Sequence, residues 1–148
     1  MIGKEFEVKR AIWAGVAIFT AWAILDYLMH GLLLRSAYQA SAGLWRPMDQ
    51  MSTPLIVFVK VVLIACFVLI YDLLVTSKSM ASGVLLGVLY GLTTGIASGF
   101  GTYIHMPLPL TLAWGWLLGG WAKGIAAGAI VGAIMKSEVP SGKKPEIT

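Results

Sequence analysis

Apolar residues in this chain gather into four long runs, about residues 12–34, 54–75, 81–103 and 110–135, separated by short polar stretches. A helix rises about 1.5 Å per residue, so about 20 apolar residues cross the hydrocarbon core of a bilayer, and each run meets that length. The pattern predicts an all-α fold: a transmembrane four-helix bundle. The last two runs carry a second pattern. Gly83, Gly87, Gly91, Gly95 and Gly99 recur every fourth residue in a stretch without charge, and Gly120, Gly124, Gly128 and Gly132 repeat the spacing, preceded by Gly115 and Gly119. Glycine costs about 1 kcal/mol relative to alanine in a water-exposed helix. A ridge of them on one helix face therefore predicts close backbone approach of another helix, crossing in the right-handed sense at about −40°.

Proline and polar residues punctuate the runs. Pro54 stands at a helix start, where its missing N–H costs nothing. Residues 76–80 form a tight turn, and Pro107 and Pro109 end the third helix in the linker that carries His105. Residues 35–53 mix polar side chains with Tyr38, Leu44, Trp45, Met48 and Met51. That composition predicts a short interfacial elbow between helices 1 and 2, with Tyr38 and Trp45 at headgroup depth. The basic start followed by an apolar run is shared with signal peptides, but the run exceeds the usual h-region of about 7 to 15 residues and is read as a retained helix. The tail, residues 136–148, is polar.

Composition agrees: 58% of the 148 residues are hydrophobic and 12% charged, with a mean hydropathy of +0.82, against roughly a quarter charged in soluble domains. This describes a single integral membrane domain in contact with the lipid bilayer. The net charge of +4 does not point to nucleic acid, because the basic residues stand at the ends of apolar runs. Lys4, Lys9, Arg10, Lys78, Lys136, Lys143 and Lys144 fall on one side of a four-span arrangement, and Arg35 and Arg46 on the other. The positive-inside rule then puts both termini in the cytoplasm and the elbow outside. The expected location is a bacterial inner membrane. The single cysteine, Cys66, excludes an intramolecular disulfide and a CxxC site.

Candidate chemistry is confined to polar groups inside the spans, since a charge at mid-membrane costs at least about 2.5 to 3.5 kcal/mol on insertion scales. These groups are Asp26, His30, Lys60 and Lys123. Asp26 lies roughly 12 Å and Lys60 roughly 9 Å below the outer ends of their helices, so the two can meet. Asp26 and His30 are one turn apart on one face, which must look toward protein. Lys123 is the deepest charge, roughly 18 to 20 Å from either end of its helix, with Asp26 the one acid near its level. Asp72 can reach water or Lys78. A bridge from Asp26 to Lys60 or Lys123 would fix helix order and register. Another reading has His30 and His105 converge near the outer face to hold haem or copper, with Asp26 or Met106 as a further ligand.

No nucleophile arrangement, Walker loop, GxGxxG or HExxH occurs, so an enzyme is not expected. The first two spans have no counterpart to the glycine series, which argues against the inverted repeat of secondary transporters. Asp26-Tyr27-Leu28-Met29-His30-Gly31, Leu44-Trp45-Arg46-Pro47 and the glycine series together give a layout that resembles small four-span bacterial membrane proteins of uncharacterised families. That resemblance implies a four-helix bundle; it implies no activity and supplies no site residues. The expected role is therefore helix packing, through self-association or as an accessory subunit among other membrane subunits, with no cofactor. The alternatives are a small channel or proton or solute transporter using Asp26, Lys60 and Lys123, and the outer-side haem or metal site.

Overall fold

The structure, a computed structural model, describes the backbone of residues 2–136 and the side chains of residues 8–136. The tail beyond Lys136, with Lys143 and Lys144, and the side chain of Lys4 lie outside the described residues. Helix α1 runs Ile2–Asp26 and continues without a break as a π-helical segment, Tyr27–Leu33. The elbow consists of a short α2, Arg35–Ala40, and two 3-10 turns, Ala42–Leu44 and Met48–Gln50. Helix α3 spans Thr53–Leu74. Helix α4, Met80–Ile96, passes through a second π-helical segment, Ala97–Gly101, into the single turn α5, Thr102–His105. Helix α6 is Leu110–Ile134. No strand occurs among the described residues.

The protein is thus an all-α four-helix bundle whose four long elements, Val8–Leu33, Thr53–Leu74, Met80–His105 and Leu110–Ile134, are each long and apolar enough to cross a membrane. The first helix begins well before the apolar run at residue 12, because nothing in the polar start breaks a helix. Local chemistry sets the other ends. The Ser52 hydroxyl accepts from the Leu55 N–H and Pro54 fills the first turn of α3. Ser79 and Ser82 cap α4 reciprocally. Pro107 and Pro109 separate α5 from α6, and Pro109 is the residue at the α6 N-cap.

Helix α6 lies at the centre, packed most extensively along α4 and also against α1, while α3 packs mainly on α1. The α4–α6 contact explains the glycine periodicity. A Cβ on Gly83 would meet Gly128 and Gly132, and one on Gly87 would meet Gly124 and Gly128. One on Gly91 would meet Gly120, Trp121 and Gly124; beyond it Gly95 faces Leu117 and Gly99 faces Ala113. The pairing runs in opposite directions along the two helices, so they are antiparallel, and in every case the obstructing atoms are backbone. All glycines among the described residues have ordinary helical or extended φ, which assigns this ridge to close approach and not to backbone freedom. Gly115 and Gly119 belong to another contact: they seat the side chains of Leu34 and Met29 from the end of the first span.

The core proper fills the space among α1, α3 and α6 with Ala14, Ile18, Trp22, Ile64, Phe67, Val68, Tyr71, Ala127 and Val131. Tyr71 is fully buried and donates its hydroxyl hydrogen to the Ser79 carbonyl at 3.0 Å, pinning α3 to the start of α4. Asp72 and Lys78 close the same turn with an ion pair. At that end of the bundle the Arg10 guanidinium also lies 3.5 Å from the Lys136 carbonyl. The basic residues Arg10, Lys78 and Lys136 therefore share one end, opposite the elbow.

Candidate polar site within the bundle

Asp26 is the last residue of α1, facing both α3 and α6. Its Oδ2 lies 2.8 Å from Lys60 Nζ and its Oδ1 2.8 Å from Lys123 Nζ. The carboxylate takes both lysines, where the sequence left the choice between them open. The three side chains are 20 to 25% exposed, so the cluster is enclosed on most sides without being sealed. The ammonium heads lie over rings: Lys60 Nζ is 5.6 Å from the centroid of Phe19 and Lys123 Nζ 5.6 Å from that of Trp22. The Trp22 indole also donates to the Lys123 carbonyl at 2.9 Å, tying α1 to α6 beside the charge.

His30 extends the cluster toward the elbow. Its Nε2 is 4.0 Å from Asp26 Oδ1, and its Nδ1 is 2.7 Å from the Tyr38 hydroxyl. Trp116 donates its indole N–H to that same hydroxyl at 2.6 Å. An indole can only donate, so the Tyr38 oxygen accepts there and its own hydrogen is free for His30 Nδ1. The same oxygen keeps a second lone pair, so the contact with His30 Nδ1 serves either tautomer; it fixes the position of the ring beside Asp26. Burial pushes the Tyr38 hydroxyl above its ordinary 10.0, and the Asp26 charge adds to this while the Trp116 bond opposes it.

The elbow is folded onto the bundle. Tyr38, Trp45 and Trp116 form a cluster of rings with centroids 5.4 to 6.5 Å apart. Trp45 donates to the Ser41 hydroxyl at 3.1 Å, and Ser41 is itself buried. Tyr38 and Trp45, expected as headgroup anchors, thus turn inward over α6. Trp116 joins them, while Trp114 is half exposed and packs edge-on against Phe100.

The sequence-derived residues Asp26, His30, Lys60 and Lys123 are together in one cluster. His105 is outside it, exposed at the end of α5. Among the described residues no group of three or more His, Cys, Asp or Glu side chains is arranged to share a metal ion. No protein-family model matches this chain, and no curated protein or solved structure is detectably similar to it. The geometry therefore carries the functional reading alone.

Sequence reasoning missed Tyr38, Trp116 and Trp22 as partners of the polar cluster, and it missed both π-helical segments. Each segment inserts slack into a span beside the cluster, a placement common at functional sites. The first begins immediately after Asp26 and turns His30 toward Tyr38. The one available signal for it was glycine at Gly31 and Gly101, which is too common in these helices to be informative.

Two cavities flank Lys123. One, of about 170 Å3, is bordered by Asp26, His30, Ser98 and Trp116. The other, of about 200 Å3, is bordered by Trp22, Tyr90, Thr94 and Ser98. A larger open groove of about 780 Å3 runs between α1 and α3 on the outside of the bundle, bordered by Ala11, Gly15, Phe19, Ile64, Ala65 and Asp72 among others.

Proposed function

We propose that this protein acts as a packing or accessory subunit within a membrane, offering a preformed seat to a further transmembrane helix in a homo-oligomer or a larger complex. The observation that carries this reading is the α1–α3 groove. Ala11 and Gly15 stand one turn apart on α1 opposite Ala65 on α3, and small residues on facing helices admit the ridge of another helix. A Cβ on Gly15 would touch only Ile64, at 3.8 Å, so the glycine is not used by the fold around it. The Asp26 cluster supports the same reading from inside. It joins α1, α3 and α6 through one carboxylate and two lysines, holding α3, which lacks the backbone-close packing of α4, against the rest. The positive-inside asymmetry supports cytoplasmic termini and an outward elbow, and the location proposed with it is a bacterial inner membrane.

The test is to purify the protein in mild detergent and measure the mass of its complexes by native mass spectrometry, for the wild type and for Gly15→Leu and Ala65→Leu. The expected result is a defined higher-mass species, of the chain with itself or with other subunits, that both substitutions dissociate while helical circular dichroism is retained. A monomeric wild type binding lipid alone, or assembly that persists with the groove filled, would refute it.

A further inference from the structure

Lys123 stands roughly 18 to 20 Å from either end of its helix, too deep for its ammonium to reach bulk water. That group has three hydrogens to donate. One goes to Asp26 Oδ1 at 2.8 Å, and among the described residues no other acceptor takes the remaining two. The second carboxylate oxygen faces Lys60. A donor left unpaired in an apolar interior is costly, and more so when it is charged.

The complementary groups are on the helix that the cluster does not reach. Thr94 of α4 gives its hydroxyl hydrogen to the Tyr90 carbonyl at 2.8 Å, and Ser98, in the π-helical segment that follows, gives its own to the Gly95 carbonyl at 3.2 Å. Both oxygens can then only accept. Among the described residues neither is hydrogen-bonded to another helix. Yet Thr94, Ser98 and Lys123 border one cavity of about 200 Å3, and Ser98 and Lys123 also border the neighbouring one of about 170 Å3, with Asp26 and His30. Rings of Phe67 and Tyr90, with centroids 5.0 Å apart, meet between α3 and α4 on the side away from the elbow. Toward the elbow the His30 side chain, which borders the second cavity, is 44% exposed.

A molecule that joins these groups must accept from an ammonium and donate to hydroxyl oxygens. An anion has nothing to donate, and a cation has nothing to accept with and is repelled by two lysines. Water does both. Against the share of about 30 Å3 that a water occupies in the liquid, each cavity has room for several. We propose that the paired cavities are a mid-membrane water site, in which ordered waters bridge the Lys123 ammonium to the Thr94 and Ser98 hydroxyl oxygens. The bridge brings α4 into the polar network that already joins α1, α3 and α6 through Asp26, and it does not depend on the assembly state of the protein.

Water-edited solid-state NMR of the full chain in lipid bilayers tests this, since it follows magnetisation passing from water to individual side chains. The expected result is transfer to Thr94, Ser98 and the Lys123 side chain several times faster than to Leu89 and Ile96, which are exposed elsewhere on α4. Transfer to Lys123 should fall in the double variant Thr94→Val, Ser98→Ala. Unfolding titrations give the energetic arm. A hydroxyl bonded only to its own helix slightly destabilises it, so without a bridge each substitution should be neutral or stabilising. With the bridge, each should raise the unfolding equilibrium constant by about threefold to tenfold, the worth of one neutral hydrogen bond, and that effect should vanish in a Lys123→Met background. Slow transfer to all these side chains in the wild type, lipid acyl signals at Thr94 and Ser98 in place of water, transfer to Lys123 undiminished in the double variant, or substitutions that are neutral or act equally in both backgrounds would overturn the proposal. Should Lys123→Met not fold, the transfer rates and the sign of the two hydroxyl substitutions decide it.

Discussion

Replacing one glycine at a time by alanine along α4 and the π-helical segment that continues it tests whether the glycine ridge holds α4 against α6, because the added atom is the same at each site and only its surroundings differ. At Gly101 a Cβ would find nothing nearer than the Ile96 carbonyl oxygen, at 3.9 Å. At Gly91 it would lie 2.9 Å from the Trp121 carbonyl and 3.0 Å from the Gly124 Cα, against the 3.4 Å at which ordinary contact begins, a shortfall of 3.4 − 2.9 = 0.5 Å. At Gly87 it would overlap the Gly124 carbonyl oxygen outright and lie 2.9 Å from the Gly128 Cα. Those obstacles are backbone and cannot turn aside, so the helices must part. A gap of about 0.5 to 1 Å forfeits a quarter to a half of each dispersion contact along the seam. Overpacking of this kind costs about 1 to 3 kcal/mol, occasionally more. Gly91→Ala should therefore lose about 1 to 2 kcal/mol and Gly87→Ala about 3 kcal/mol or more. Gly101→Ala should be neutral or gain up to about 1 kcal/mol, alanine being the better helix former. Unfolding by dodecyl sulfate in mixed micelles, followed by circular dichroism, gives the ranking. Gly91→Leu should disrupt the bundle, whereas Leu85→Ala, on the exposed side, should be mild. Equal costs at Gly87 and Gly101, or a wild-type Gly87→Ala, would refute the argument that backbone contact accounts for the ridge.

Three further outcomes are expected. Asp26→Asn leaves Lys60 and Lys123 without their carboxylate and should cost about 3 kcal/mol, the lower end of the range for a broken buried pair because the group is partly exposed. The same unfolding titration should show partial recovery on adding Lys60→Met or Lys123→Met, while Lys123→Met alone, which leaves a neutral Asp26–Lys60 pair, should be far milder than Asp26→Asn. Tyr38 has its folded pKa raised above 10.0, so its neutral form is favoured by folding. Its contribution is complete below pH 10 and is lost as pH rises through the folded value; alkaline unfolding followed by tyrosinate absorbance should be flatter in Tyr38→Phe. For topology, in a Cys66→Ala background, cysteine at the exposed Ser36 should react with an impermeant thiol reagent in intact cells and cysteine at the exposed Ser77 should be protected. The reverse pattern would invert the orientation. Ser41 is unsuitable as the outer reporter because it is buried under Trp45.

What the sequence determined by itself is what depends on one helix at a time. Span number and approximate limits follow from hydropathy and length, because an unpaired backbone has no alternative to a helix in lipid. The spacing of Gly83 through Gly99 marks a contact face for the same reason: period and residue size are local properties. The depth of Asp26, Lys60 and Lys123 also follows from counting residues along each span. Tertiary structure alone decided who meets whom. Whether Asp26 takes Lys60, Lys123 or both depends on the order and rotation of three helices about their axes, which the packing of Phe67, Tyr71 and Val131 sets far from the charges. Gly115 and Gly119 share the period of the second ridge yet serve Leu34 and Met29, since a helix has more than one side and the period does not say which neighbour each side will find. The inward fold of Tyr38 onto Trp116 was illegible for a related reason. An amphipathic aromatic satisfies its hydroxyl equally well at the headgroups or against a protein donor, and only the position of Trp116, 78 residues away in the chain, decides between them.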